Sequence, residues 1–361
     1  MSKHPSEQEK IKNFSDYQQS YPEQLTFFGL LGFDNNSKKY SNTIELYDFI
    51  PKYFWGKQPR IKVEKPDKHS PDKKILIREM LERLERPFEC RGVKYRLTLY
   101  PATITGKDGI DRDFYPSKCE ELVESTLLKY AAEGQGIFLD DFASVTFTIY
   151  QIQKDLKKQG HSYSRDQIKD ALQVCKRTVL VITSEDGNTV LESNMFETLG
   201  LQTQEDWQGT GENTKCFVRF NPLVTRSINK KDFRLLNYEK SLSFESVIAR
   251  QLHKRMSHHF LQASLMNSYT ITLLTMIRDF GITRQKSLSD NWRDTEIALK
   301  ELKAKEVILD YTKEIILDAH RRNRIADIKT TVTPHPRFIN DIVKGNERHK
   351  KILGFLPPSK R

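Results

Sequence analysis

The stretch Ser164-Arg-Asp-Gln-Ile-Lys-Asp-Ala-Leu-Gln-Val-Cys-Lys-Arg-Thr-Val-Leu-Val-Ile-Thr-Ser-Glu-Asp-Gly-Asn-Thr-Val-Leu-Glu-Ser193 decides the fold. Ile168, Ala171, Leu172 and Cys175 recur at three- and four-residue steps, which puts them on one face of a helix over Ser164 to Lys176. Ser164 with Gln167 is a capping-box pair that starts the helix. Two β-branched runs follow, Thr178 to Thr183 and Thr189 to Ser193. Between them lies Glu185-Asp-Gly-Asn188, whose residues suit the tight turn of a hairpin.

Working outward toward the N-terminus, Ala143 to Lys158 reads as a helix closed by Gly160. Ser117 to Glu133 reads as another, with Leu122, Val123, Leu127 and Tyr130 on one side and Gly134 and Gly136 ending it. Tyr95 to Tyr100 alternates like a strand. Toward the C-terminus, residues 198–214 form a polar excursion and Cys216 to Phe220 a closing strand. The order then repeats. Helices are expected over Phe244 to Phe260, Tyr269 to Phe280 (ended by Gly281) and Asp290 to Ala304. Strands over Val307 to Asp318 and Ile325 to Thr333 then flank His320-Arg-Arg-Asn-Arg324. Carrying Ala171-Leu172 onto Ala298-Leu299 pairs Ile168, Ala171, Leu172 and Cys175 with Thr295, Ala298, Leu299 and Leu302, at helical spacing in both. Three helices and a hairpin, twice, is the order of a winged-helix domain. The expected fold class is therefore α+β, with two tandem winged-helix domains in pseudo-repeat over residues 75–240 and 241–343.

Three further segments are set apart by composition. Residues 1–57 hold a polar, flexible arm and an aromatic-rich module built from Leu25 to Gly32 and Tyr40 to Trp55. The module is too small to fold alone and is expected to pack on the main body or on a partner. Residues 58–74, rich in proline and lysine, read as an extended linker, and residues 344–361 as a basic tail.

The chain has 361 residues, 59 Lys plus Arg against 48 Asp plus Glu, and a formal charge of +11, a surplus that suits polyanionic partners. Apolar residues make up 37%, enough for a core. The four cysteines, Cys90, Cys119, Cys175 and Cys216, have no zinc-ligand spacing and read as reduced thiols of an intracellular protein. Met1 to Lys12 has no apolar signal core, and no apolar run is long enough to cross a bilayer, so a soluble protein without a membrane partner is expected.

A helix that buries one face offers the other to the major groove. In the first repeat the outward stripe is Asp166, Lys169, Gln173 and Lys176, and Ser162, Tyr163, Ser164 and Arg165 lead into it. In the second repeat the corresponding stripe is Arg293, Glu296, Lys300 and Lys303. It is preceded by Thr283-Arg-Gln-Lys-Ser-Leu-Ser289, in which Arg284, Lys286 and Ser287 can reach phosphates, and Asn291 with Arg293 can reach bases. Arg321, Arg322 and Arg324 make a cationic tip that would lie on phosphates or in the minor groove. The bland alternative is a solvated face with stabilising charge pairs. The other hairpin tip carries Glu185 and Asp186, which phosphates would repel, so the first domain is expected to dock by its helix and to serve protein contacts as well.

No enzyme motif stands out. Gly209-Thr-Gly211 lacks the lysine of a phosphate loop, and His258-His259 diverge on a helix and read as surface. Asp140-Asp141 has no third carboxylate and reads as a cap before Ala143. No catalytic residue, metal or cofactor is expected.

Taken together, these elements resemble the replication initiator (Rep) proteins of theta-replicating bacterial plasmids. The resemblance is carried by Tyr40-Ser-Asn-Thr-Ile-Glu-Leu-Tyr-Asp-Phe-Ile-Pro-Lys-Tyr53 and by Glu120 to Ile182, with Phe147-Thr-Ile-Tyr150 and Lys157-Lys-Gln-Gly-His-Ser162 inside it. Ala298-Leu-Lys-Glu-Leu-Lys-Ala304 adds to it. It covers about 75 to 340, and no single motif in it is diagnostic. It implies a bacterial cytoplasmic protein that binds directly repeated origin sites (iterons), opens an AT-rich stretch, and recruits host helicase and initiator. It also implies a monomer active at the origin and a dimer that acts in autoregulation or is inactive. The aromatic module and lysine-rich linker depart from the smaller initiators and suggest a host-protein contact. A winged-helix repressor, a nicking or priming enzyme of plasmid replication, and a scaffold for an acidic protein are the alternatives.

Overall fold

The computed structural model describes residues 40–66, 74–139, 141–201, 216–230, 232–319 and 324–354. Leu25 to Gly32, Asp140, residues 202–215 of the polar excursion, Arg321, Arg322 and the end of the basic tail lie outside the described residues. The described chain is α+β.

It opens with β1 (Tyr40–Thr43) and α1 (Glu45–Phe49), then β2 (Ile61–Pro66), β3 (Lys74–Met80), β4 (Leu84–Cys90), β5 (Val93–Tyr100), β6 (Ala102–Thr105) and β7 (Asp111–Phe114). Next come α2 (Lys118–Tyr130), a π-turn over Ala131–Gln135, β8 (Gly136–Leu139), β9 (Phe142–Phe147), α3 (Ile149–Lys158) and α4 (Arg165–Arg177). The hairpin β10 (Val179–Ser184) and β11 (Thr189–Asn194) is followed by β12 (Phe196–Gly200), β13 (Cys216–Phe220), α5 (Pro222–Asn229), β14 (Arg234–Asn237) and α6 (Tyr238–Ser243). The remainder is α7 (Val247–His259), β15 (Tyr269–Thr272), α8 (Leu273–Asp279), α9 (Leu288–Ala304), β16 (Ile308–Leu317), β17 (Ile325–Pro334) and α10 (Pro336–Gly354).

Two hydrophobic cores form. The first gathers Leu97 and Leu99 of β5, Leu122 and Leu127 of α2, Ile168, Ala171, Leu172 and Cys175 of α4, and Leu180 and Ile182 of β10. The second gathers Leu252 and Met256 of α7, Met276 of α8, Ala298, Leu299 and Leu302 of α9, and Ile328 and Val332 of β17. All eight residues paired between the two repeats are buried, Thr295 included at 1% exposure. The helical spacing alone dictates this, because each quartet occupies one stripe of a 3.6-residue helix.

Several elements differ from the sequence reading. Ala143 to Phe147 is strand, because Ala143, Val145 and Phe147 enter the core, Val145 and Phe147 opposite β13 and Ala143 opposite β8. The helix begins only at Ile149, where Thr148 and Gln151 form a capping box. Asp141 therefore precedes a strand and caps no helix. Tyr269 to Thr272 is likewise strand, antiparallel to β17, and α8 follows its Thr272 cap. Within the expected linker, Ile61–Pro66 pairs antiparallel with Lys74–Met80. The expected tail is helical as far as Gly354, anchored through Phe338 and Ile342 in the second core. The Glu185-Asp186 tip does turn a hairpin, but its strands lie in a four-stranded sheet ordered β11-β10-β5-β4.

The described part of the aromatic module packs on the body. Ile44, Tyr47, Ile50 and Tyr53 enter the first core, and Trp55 donates its indole N–H to the Phe280 carbonyl at 2.7 Å in the second unit. Glu124 of α2 anchors it. This carboxylate accepts hydrogen bonds from the Tyr47 and Tyr53 hydroxyls and pairs with Lys52 Nζ at 3.3 Å. Burial pulls the Lys52 amine below its ordinary pKa and pushes both phenols well above theirs.

The two units also meet through buried charge. Arg250 of α7 donates from Nε and Nη2 to Glu121 Oε2 of α2 at 3.0 and 2.9 Å, and Gln251 Nε2 donates to Glu121 Oε1 at 3.0 Å. Lys254 Nζ donates to Asp48 Oδ1 at 3.2 Å. His258 and His259, expected on the surface, bracket Phe49 instead: His258 is buried edge-on to that ring, and His259 stacks on it at 4.9 Å.

Candidate nucleic-acid interface

In the first unit, α4 begins where Ser164 Oγ accepts from Gln167 N at 3.1 Å and Gln167 Oε1 accepts from Ser164 N at 2.8 Å. Gly160, with φ of 85°, lets the chain leave α3 and turn into this cap. Ser162, Ser164, Arg165 and Lys169 are exposed, and Gln173 is half-buried. The Arg165 guanidinium lies 5.6 Å from the Tyr150 ring centre. Tyr163 packs against the first core, where burial pushes its phenol up to about 12. Lys176 departs from the expected outward stripe. It is half-buried, and its Nζ donates to the Glu197 carbonyl at 2.9 Å, so it ties α4 to β12.

The structure brings a cation to α4 that the spacing did not indicate. The β6–β7 turn lies beside the first turn of α4, and Lys107, 97% exposed, sits 3.7 Å from Asp166. Lys107 thereby offsets the one acid of the stripe. Its neighbour Arg112 is committed elsewhere: it grips Asp108 and holds that carboxyl down to about 2. Sequence reasoning missed Lys107 because its position follows from strand packing, with β6 lying along α4.

In the second unit, residues 283–287 are all exposed and fold over the start of α9. Ser287 Oγ accepts from Ser289 N at 3.1 Å. Asn291, expected to reach bases, lies inside the turn rather than on the outward face. It is buried, and its side chain accepts from Gln285 N at 2.9 Å while donating to the Thr283 carbonyl at 3.0 Å. An asparagine can do both at once because its amide carries donor and acceptor on one short stem. That clasp sets the turn bearing Arg284 and Lys286.

Beyond the turn, Arg293 is 71% exposed and 3.2 Å from Asp290. Lys300 pairs with Glu296 at 3.4 Å, and Lys303 with Asp310 at 2.9 Å. Exposed pairs of this kind hold little energy and exchange readily for phosphate. On the hairpin, Lys313 stands 4.6 Å over the Trp292 ring, and Arg324 is exposed. Lys313 was also not singled out by spacing; Trp292 on α9 is what draws it alongside.

The structure thus brings together two groups, one on each unit: Arg165, Lys169 and Lys107 around α4, and Arg284, Lys286, Arg293 and Lys313 around α9, with Arg324 exposed at the end of the adjoining hairpin. Among the described residues no group of three His, Cys, Asp or Glu side chains is placed to hold a metal ion. No described helix is long and apolar enough to cross a membrane.

No protein-family model and no curated protein matches the chain. Among solved structures, the chain is similar to RctB domains 2 and 3, with a TM-score of 0.43 and 10% identity over 70% of this chain and 91% of that one. A second structure of RctB domains 2–3 gives 0.44 and 10% over 82% and 99%. The Pi initiator protein in complex with iteron DNA gives 0.41 and 14% over 60% and 91%. The neighbours thus include an initiator protein bound to iteron DNA.

Proposed function

We propose that this chain is a non-enzymatic replication initiator of the bacterial cytoplasm, binding duplex DNA sequence-specifically through two winged-helix units. The observation that carries the reading is the matched pair of helices α4 and α9. Each buries the corresponding quartet in its own core and presents a polar, cation-bearing face, and each is entered by a capped, exposed turn.

One argument favours an initiator over a repressor. Repressors of this class read inverted repeats because two copies of one helix are related by a two-fold axis. Here two different helices stand in one chain, in units joined by the buried Glu121–Arg250 contact between α2 and α7. A single chain then reads an asymmetric site, and an asymmetric site recurs along DNA as a direct repeat. Directly repeated origin sites are the target that the sequence resemblance implies. Opening of adjacent AT-rich DNA, recruitment of host helicase and initiator, and a dimer in autoregulation belong to the same reading.

Two measurements test it. Footprinting on DNA flanking the gene should show evenly spaced direct repeats, and permanganate should detect unpaired thymines nearby on supercoiled template. A single protected inverted repeat over a promoter, with no melting, makes the chain a repressor. A covalent protein–DNA adduct or nucleotide incorporation makes it an enzyme.

A further inference from the structure

The pair β2–β3 continues past the sheet it belongs to. That sheet is ordered β2-β3-β7-β6, and β3 meets β7 only at Arg78 opposite Asp111 and Glu79 opposite Arg112. Because β3 and β7 run parallel, Lys74 to Ile77 lie beyond the start of β7, at the end of the sheet that carries the β6–β7 turn. At about 3.3 Å per residue these four residues project roughly 13 Å. They pair only with β2, through Glu64–Leu76, Lys65–Ile75 and Pro66–Lys74. The result is a two-stranded ribbon. It points past the turn whose Lys107 touches Asp166 at the start of α4.

The ribbon's surface has two components. Lys65 and Lys74 on the projecting part, and Lys62 at its base, are exposed with no carboxylate partner among the described residues, and Glu64 is the one acid on the projecting part. Ile75 and Ile77 on the projecting part, and Ile61 and Met80 at its base, are 38% to 53% exposed, although large apolar side chains normally lie inside. Lysines alternating with exposed aliphatic groups on a narrow ribbon suit a DNA groove. The major groove, about 12 Å wide, admits a two-stranded ribbon and offers thymine methyl groups to apolar side chains, with phosphates along both rims for lysines.

We infer that the β2–β3 ribbon is a second DNA-contacting element, lying in the major groove that flanks the segment read by α4. This rests on the reading of α4 as a DNA-facing helix and extends it: the first unit grips duplex by helix and ribbon together, and its site is longer than one helix reaches. The ribbon takes the role that the acidic β10–β11 tip cannot fill.

The test uses the full chain and the duplex it enriches from a random-sequence pool. A triple variant, Lys62→Ser with Lys65→Ser and Lys74→Ser, removes charge from exposed positions, and an unchanged unfolding temperature verifies the fold. A second variant, Ile75→Ser with Ile77→Ser, removes the apolar contacts. The triple variant should flatten the slope of log affinity against log salt by about 0.9 for each lysine on a phosphate. Both variants should shorten the protected tract at the α4 end only. An unchanged slope and tract would overturn the inference. So would an unchanged tract with altered sedimentation of the free protein, which would make the ribbon a self-association surface. If the wild-type chain enriches and protects no sequence, the DNA reading itself falls and the ribbon's role with it. Protection by wild type that the variants leave untouched removes the ribbon alone.

Discussion

Glu124 carries three partners on one buried carboxylate: the hydroxyls of Tyr47 and Tyr53 and the ammonium of Lys52. Removing one partner of a buried pair leaves the other charge uncompensated. Glu124→Ala should therefore lower stability by about 3–5 kcal/mol, measured by denaturant unfolding. His253 sets a second residue-level expectation. Its ring lies between Phe244 and Phe338, its Nδ1 has no hydrogen-bond partner among the described residues, and burial pulls its pKa from 6.5 to about 3. Between those values the unfolded chain binds a proton that the folded chain refuses, so stability rises with pH and falls on acidification. The loss should begin below about pH 6.5 and approach 1.4 kcal/mol per pH unit. His253→Phe should flatten this limb in urea titrations; an identical acid limb would show that His253 is not its source. At this scale the core was legible in advance, since all eight paired helix positions are buried as their spacing requires. Asn291 was not legible, because its burial depends on a turn that only the folded loop defines.

At the scale of elements, the helices with capping boxes and regular apolar steps were readable, and the strands beside them were less so. Ala143 to Phe147 joins an apparent helix in sequence, yet its period of two sends it into the sheet. The β2–β3 ribbon hid behind proline and lysine, residues that suggest a linker when the pairing partner is out of sight. The turn before α9 depends on Asn291, so Asn291→Ala strands the Gln285 N–H and the Thr283 carbonyl. The expected cost is about 1–3 kcal/mol of stability. DNA affinity should also fall by more than stability alone explains, because Arg284 and Lys286 lose their fixed positions. Asn291→Asp, which retains the acceptor for Gln285, should lie between the two in both thermal melts and binding titrations.

For the whole molecule, the arrangement of the two units matters most. Glu121, Arg250 and Gln251 bridge α2 and α7 in a buried cluster, and Trp55 adds a contact from the aromatic module to Phe280. None of this was visible in the linear pattern, because the partners stand far apart in the chain and a buried charge looks like any other charge in sequence. Glu121→Ala leaves the Arg250 guanidinium unpaired inside the protein. Calorimetry should then show a single transition splitting into two as the units uncouple.

Whether α4 and α9 read one duplex together is decided by footprinting of helix variants. Wild-type protein should protect two adjoining tracts on the duplex it enriches. Arg165→Ala with Lys169→Ala should expose one tract, and Arg284→Ala with Arg293→Ala the other, each costing about 1–3 kcal/mol per lost specific contact. If either pair leaves both tracts protected and the affinity unchanged, the helix concerned does not face DNA and the account is wrong.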